Sequence, residues 1–158
     1  MKNNFHTHQI ITLPRNSDPR GNLSFFENGA QLPFEIKRSY WIYDVPGGAK
    51  RGGHAYRKSC EFIIALSGSF DIIIDDGKER KIYSLNRSYY GLYVPQMCWR
   101  EMNNFSTNSF ALVVASTKFN ESDYIRNYET FLDELNLSND IKTKRLEEFR
   151  KIQMDEWE

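Results

Sequence analysis

Two cysteines, Cys60 and Cys98, are too few for a disulfide framework or a four-cysteine zinc site. No stretch approaches the roughly eighteen uninterrupted apolar residues of a membrane span. The opening Met1-Lys-Asn-Asn-Phe-His-Thr-His lacks the apolar run of a secretory signal. Charge of neither sign dominates, since 21 Lys and Arg balance 21 Asp and Glu. That balance argues against a nucleic-acid partner, whose binding rests on neutralising phosphates with a basic face. It leaves room for one anionic small molecule held by a few local arginines. Gly-X-Ser-X-Gly, phosphate-loop and dinucleotide-binding signatures are all missing, as are internal repeats and low-complexity linkers. What is present suffices for a core: 40% of the 158 residues are apolar and 15% aromatic. The expectation is a soluble, cytosolic chain of about one domain, with no membrane contact.

Most of that chain reads as short strands. Candidates cover residues 9–13, 23–27, 36–43, 61–67, 69–75, 80–85, 89–94, 99–102 and 109–115, several rich in β-branched or aromatic side chains. Turn signals lie between them, and Asp76-Gly77 is a strong hairpin signal because a tight turn needs positive φ. Strands at roughly ten-residue spacing point to a sandwich or small barrel rather than alternating βα units. After Ala115 the period changes. Ser122 or Asn120 can cap a helix presenting Tyr124, Ile125, Tyr128, Phe131, Leu132 and Leu135. A second, charged helical segment over 140–158 covers the β-domain or a partner. The domain expectation is therefore 1–135 for the β-domain and 136–158 for a charged helical tail.

Polar chemistry concentrates in three places. In Arg51-Gly-Gly-His-Ala-Tyr56 a glycine turn feeds a strand-like segment, and its two-residue period puts His54 and Tyr56 on one face. Histidine is the commonest general base near neutral pH, so a His and Tyr facing a pocket point to proton transfer. The plain alternative is a buried histidine with satisfied hydrogen bonds. A metal is not expected: His54-Ala-Tyr56 offers one imidazole, Glu61 has suitable spacing, but His6 and His8 lie at an end expected to fray. The second place is Trp99-Arg100, just after a turn, where Arg100 can meet a carboxylate, phosphate or oxyanion. The third pairs Arg20, in a tight turn, with Lys37-Arg38 and Tyr40, whose strand puts Tyr40 and Ile42 on one face. Cys60 and Cys98 read as structural thiols.

In order along the chain, several segments resemble the nucleotide-sugar 3,4-ketoisomerases of the FdtA/QdtA, or WxcM-like, family within the cupin superfamily. They are Asp18-Pro-Arg-Gly-Asn-Leu23, Pro33-Phe-Glu-Ile-Lys-Arg-Ser-Tyr-Trp-Ile-Tyr43, Arg51-Gly-Gly-His-Ala-Tyr56, Ala65-Leu-Ser-Gly-Ser69, Asp75-Asp-Gly77, Gly91-Leu-Tyr-Val-Pro95, Trp99-Arg-Glu-Met102 and Asp123-Tyr-Ile-Arg126. The resemblance implies an all-β, cupin-type jelly-roll barrel that forms a homodimer and needs neither metal nor cofactor. It implies a dTDP-linked 4-keto-6-deoxyhexose substrate whose ketone moves from C4 to C3 in deoxysugar biosynthesis. Carried over by position, His54 is the base, Tyr40 and Tyr56 face the sugar, and Arg20, Arg51 and Arg100 bind substrate. The departure is Tyr56, where well-known members carry a second histidine. A phenol relays or donates a proton but is a poor base at pH 7, so a non-catalytic nucleotide-sugar-binding cupin is one alternative. A 3,5-epimerase-like isomerase on the same substrate is another. Arginine at both 20 and 100 is compatible with galacto- and gluco-configured products.

Overall fold

Residues 38–43 show how the strands are laid down. Arg38, Tyr40 and Ile42 are half-buried while Ser39, Trp41 and Tyr43 are exposed, the alternation required of a strand with one covered face. The structure is a computed structural model describing residues 5–155. Its strands are β1 (Gln9–Thr12), β2 (Arg15–Asp18), β3 (Gly21–Ser24), β4 (Arg38–Tyr43), β5 (Arg51–Tyr56) and β6 (Glu61–Ser67). They continue with β7 (Phe70–Asp75), β8 (Arg80–Leu85), β9 (Tyr90–Val94), β10 (Trp99–Asn103), β11 (Phe110–Ala115) and β12 (Tyr124–Ile125). Helices α1 (Tyr128–Glu134) and α2 (Asn139–Asp155) follow.

Two antiparallel five-stranded sheets form, in the orders β1-β9-β6-β11-β4 and β12-β5-β10-β7-β8, with β2 and β3 as a separate hairpin. This is the expected all-β jelly roll with two C-terminal helices. Between the sheets, Ile63, Phe70, Ile72, Ile74, Leu92, Met102 and Val113 form the central core. Each such side chain contributes roughly 1.5–3 kcal/mol by leaving water. The next residues along β6, Phe62 and Ile64, point the other way and pack with Ile11, Leu13, Tyr93 and Val114 under Phe26 and Phe34. On the far face of the second sheet, Ala55, Trp99 and Ile125 meet Tyr128, Phe131 and Leu132 of α1, with Leu146 and Phe149 of α2 outside them. Among the described residues no helix is long and apolar enough to cross a membrane.

The Asp76-Gly77 turn joins β7 and β8 as expected, with Gly77 at φ +86 and its amide donating to Asp75 Oδ1 at 2.8 Å. Three expectations change. Tyr124 and Ile125 are not helical; they form β12 and pair with Tyr56 and Ala55 of β5. Asn120 caps only a 3-10 turn over Glu121–Asp123, and α1 starts later, where Asn127 accepts from the Thr130 amide. A long-range network holds the intervening strap down instead: Arg57 donates to the Ser122 and Tyr124 carbonyls and to both carboxylate oxygens of Glu134. The expected fraying does not reach His8, which is only 7% exposed and whose Nδ1 lies 2.7 Å from the Tyr83 hydroxyl. Finally, residues 15–18 form a strand of their own, β2, pairing with β3. The 140–158 segment is helical through Asp155, its remaining three residues lying outside the described range.

Candidate active site

One end of the barrel opens into a cavity of about 390 Å³, walled by β4, β5, β6, β10 and β11 and roofed by the strap that carries Phe119, Tyr124 and Arg126. The glycine pair ahead of His54 shapes one wall. Gly52 and Gly53 sit at φ +83 and +75, a region where side chains beyond glycine are strained. Opposite them the β5–β10 register slips between Arg100 and Glu101, so that Arg100 pairs with His54 and Glu101 with Gly52. The extra residue is a bulge, and bulges re-aim the side chains beside them. A Cβ on Gly52 would lie 2.8 Å from the Arg100 carbonyl oxygen.

Beyond the bulge, His54 and Tyr56 share a face as their spacing predicts, and both line the cavity. Their rings meet edge-on with centroids 4.9 Å apart, and Tyr124 lies 4.6 Å from Tyr56. Burial first, and Arg100 second, pull the His54 imidazole down to about 3, so it is neutral at physiological pH. The ring's hydrogen bond to the Gly52 backbone favours its protonated form, whereas Nε2 is buried with no partner among the described residues. That is the arrangement of a free base: one nitrogen anchored, the other open to a proton.

The opposite walls carry donors. Burial, with Glu61 next, holds the phenols of Tyr40 and Tyr56 well above their ordinary range, so both carry their protons at neutral pH. Arg100 is completely buried and pairs with Glu61 at 2.6 Å. Burial opposes its charge, and Glu61 leads the groups that outweigh that opposition. The Arg100 guanidinium stands 4.8 Å from the Tyr56 ring centroid. Arg38 Nε and Arg100 Nε, like His54 Nε2, are buried without partners among the described residues. Such orphaned polar groups are costly, and a polar ligand in the cavity would satisfy them.

Of the sequence-derived candidates, His54, Tyr56, Tyr40, Arg51 and Arg100 come together around this cavity. Arg20 does not join them within this chain. It projects from the β2–β3 turn, its side chain 90% exposed and paired with Asp18 at 3.0 Å. Lys37 turns outward to Glu35 at 2.7 Å, while Arg38 lines the cavity. Sequence reading missed Phe119, Tyr124 and Arg126 as cavity residues and saw Glu61 only as a possible ligand. Burial pushes the Cys98 thiol up to about 12, the behaviour of a structural thiol.

The profile of the family described as FdtA: WxcM-like, C-terminal, matches residues 6–136. An Aneurinibacillus thermoaerophilus protein, TDP-4-oxo-6-deoxy-alpha-D-glucose-3,4-oxoisomerase, is 38% identical over 123 residues, 78% of this chain and 88% of that one. A 3,4-ketoisomerase structure from Helicobacter canadensis superposes with TM-score 0.80 at 41% identity, covering 84% of this chain and all (100%) of that one. QdtA, a sugar 3,4-ketoisomerase from Thermoanaerobacterium thermosaccharolyticum solved with TDP, gives TM-score 0.79 at 37% identity over 82% of this chain and 94% of its own. On these matches, the chain belongs to the FdtA, WxcM-like family.

Proposed function

We propose that this protein is a 3,4-ketoisomerase acting on a TDP-linked 4-keto-6-deoxyhexose, by acid–base chemistry confined to the cavity. The observation that carries the reading is His54: a neutral imidazole whose Nε2 is buried without a partner among the described residues, in a cavity that also presents two protonated phenols and a guanidinium. The C3 hydrogen of such a sugar is acidified by the neighbouring C4 carbonyl. His54 removes it as a proton, leaving an enediolate across C3 and C4. The same imidazolium returns a proton to C4 while the O3 hydroxyl gives up its own and O4 gains one, so a ketone at C3 replaces that at C4. Tyr56 and Arg100 donate to the oxygens where charge develops, while Tyr40, its one O–H given to Glu61, offers its hydroxyl oxygen as an acceptor. A diphosphate suits Arg51, Arg38 and Arg126 at the cavity mouth. Its charge offsets the arginines that depress His54, making the base stronger once substrate is bound.

Arg20 enters this scheme through a second copy. The β2–β3 hairpin pairs only with itself, and in a homodimer it is free to carry Arg20 to the partner's cavity. Light scattering at micromolar concentration should report a dimer, and a monomer of full activity would remove Arg20 from the site.

Proton NMR of the TDP-4-keto-6-deoxyglucose reaction in D2O tests the function. Exchange at C3, with a 3-keto product, and its loss in His54→Asn are expected. TDP binding without exchange would instead mark a binding module that Tyr56 has disabled, and added exchange at C5 would mark an epimerase.

A further inference from the structure

A buried carboxylate beneath the cavity takes no part in the proton transfer just described. Glu61, on β6, is closed to solvent, and its two oxygens serve different walls of the site. Oε1 accepts from the Tyr40 phenol of β4 and Oε2 from Arg100 Nη1 of β10, each at 2.6 Å. Arg100 is held a second time through Nη2, which donates to the Cys98 carbonyl at 2.9 Å. A buried ion pair is weak evidence for stability, because desolvation offsets its attraction. One carboxylate that holds a donor from each sheet has a more specific consequence: it sets where those donors stand.

Its charge has a second consequence. Glu61 is the one acidic side chain among the residues lining the cavity. Besides Tyr40 and Tyr56, the other titratable and charged groups lining the cavity are Arg38 on β4, Arg51 and His54 on β5, Arg100 on β10, and Tyr124 and Arg126 of the strap. Four of these six are guanidinium cations, which draw protons off a phenol. Resting on the ketoisomerase reading, we propose that Glu61 is a positioning residue of the reaction: by accepting from Tyr40 and Arg100 it fixes both side chains in place and leaves the remaining Arg100 donors and the Tyr56 hydroxyl for the substrate. Consistent with this, Glu61 raises the proton affinity of both phenols while Arg100 lowers it.

Glu61→Gln keeps the shape and an acceptor for Tyr40 but removes the charge. In the folded variant KM should stay within about threefold, while kcat falls at least roughly thirtyfold, since the contribution is to donors acting on developing charge. The alkaline limb of the kcat–pH profile should move to lower pH, because the phenols then ionise earlier. A folded Glu61→Gln protein with wild-type kcat and an unmoved alkaline limb overturns the proposal. Ultraviolet titration of phenolate reads the same electrostatics without turnover. If the wild type shows no C3 exchange, the functional reading fails separately, and an unshifted phenolate titration in Glu61→Gln still sinks the role given to Glu61. If Glu61→Gln alone does not fold, the comparison is made in an Arg100→Gln background, where removing Glu61 should again lower the phenol titration.

Discussion

The His54 imidazole stands edge-on to the Tyr56 ring, at an interplanar angle of 74° with centroids 4.9 Å apart. In the proposed mechanism this contact makes Tyr56 a donor beside the reacting carbons, and its ring is also part of the wall that buries His54. Tyr56→Phe separates these roles, because the ring remains and only the hydroxyl is lost. We expect kcat to drop about 10²-fold, the lower range for a positioned acid, with KM nearly unchanged. Steady-state kinetics measure both. An unchanged kcat would leave Tyr56 as packing alone.

Burial of His54 also makes the fold acid-sensitive. Its imidazole is held near pH 3, depressed first by desolvation and then by Arg100, whereas a histidine in the unfolded chain titrates near pH ~6.5. Between those values the unfolded chain binds a proton that the native site refuses. Stability therefore falls as pH drops through this window, by up to about 1.4 kcal/mol per unit from this residue. His8, likewise depressed chiefly by burial, contributes with the same sign. Urea midpoints measured from pH 7 to 4 should decline less steeply for His54→Gln than for the wild type. Parallel declines would assign the acid sensitivity elsewhere.

Alternation made most of the strands legible, because a half-covered sheet imposes its period on side chains only two residues apart. His54 and Tyr56 were readable for the same local reason. The strap was not: Tyr124, Ile125, Tyr128 and Leu132 fit a helical period equally well, and what decides against a helix at its start is the pairing of Tyr124 with Tyr56, 68 positions away in number. Glu61 shows the same limit. Its spacing from His54 invites a metal reading, but its partner Arg100 lies 39 positions further on, and nothing local announces the pair. The glycines at 52 and 53 were visible as a turn; only the β10 register shows them to be a bulge.

That bulge yields a contrast between adjacent residues. Both glycines have positive φ, yet a Cβ on Gly53 would meet open space while one on Gly52 would press on the Arg100 carbonyl and Glu101 Cα at 2.8 and 3.2 Å. Gly53→Ala should cost only the left-handed penalty, about 1 kcal/mol, and retain most activity. Gly52→Ala must also displace β10 beside Arg100, so it should cost roughly 2–4 kcal/mol and depress kcat more than tenfold. Denaturant unfolding and kinetics of the two variants give the comparison. Equal losses would mean that backbone strain alone governs this corner.

Behind β10, Asp75 joins the barrel to both helices. Its side chain is 2% exposed, and it accepts from Tyr128 Oη of α1 at 2.6 Å, Arg145 Nη2 of α2 at 2.9 Å and the Gly77 amide at 2.8 Å. Asp75→Ala strands all three donors and should destabilise the protein by about 3–5 kcal/mol, the usual cost of breaking a buried pair from one side. Arg145→Met leaves the buried Asp75 carboxylate two donors but takes its paired countercharge, so about 2–4 kcal/mol is expected even with its methionine packed beside Phe149. In the Asp75→Ala/Arg145→Met protein no guanidinium is left unpaired, and its loss should be smaller than the two single losses added together. Urea denaturation of the four proteins forms a double-mutant cycle. Strict additivity would mean that Arg145 and Asp75 touch without coupling, and that α2 is held by its other contacts, Leu146, Phe149 and the Lys142 pairs to α1.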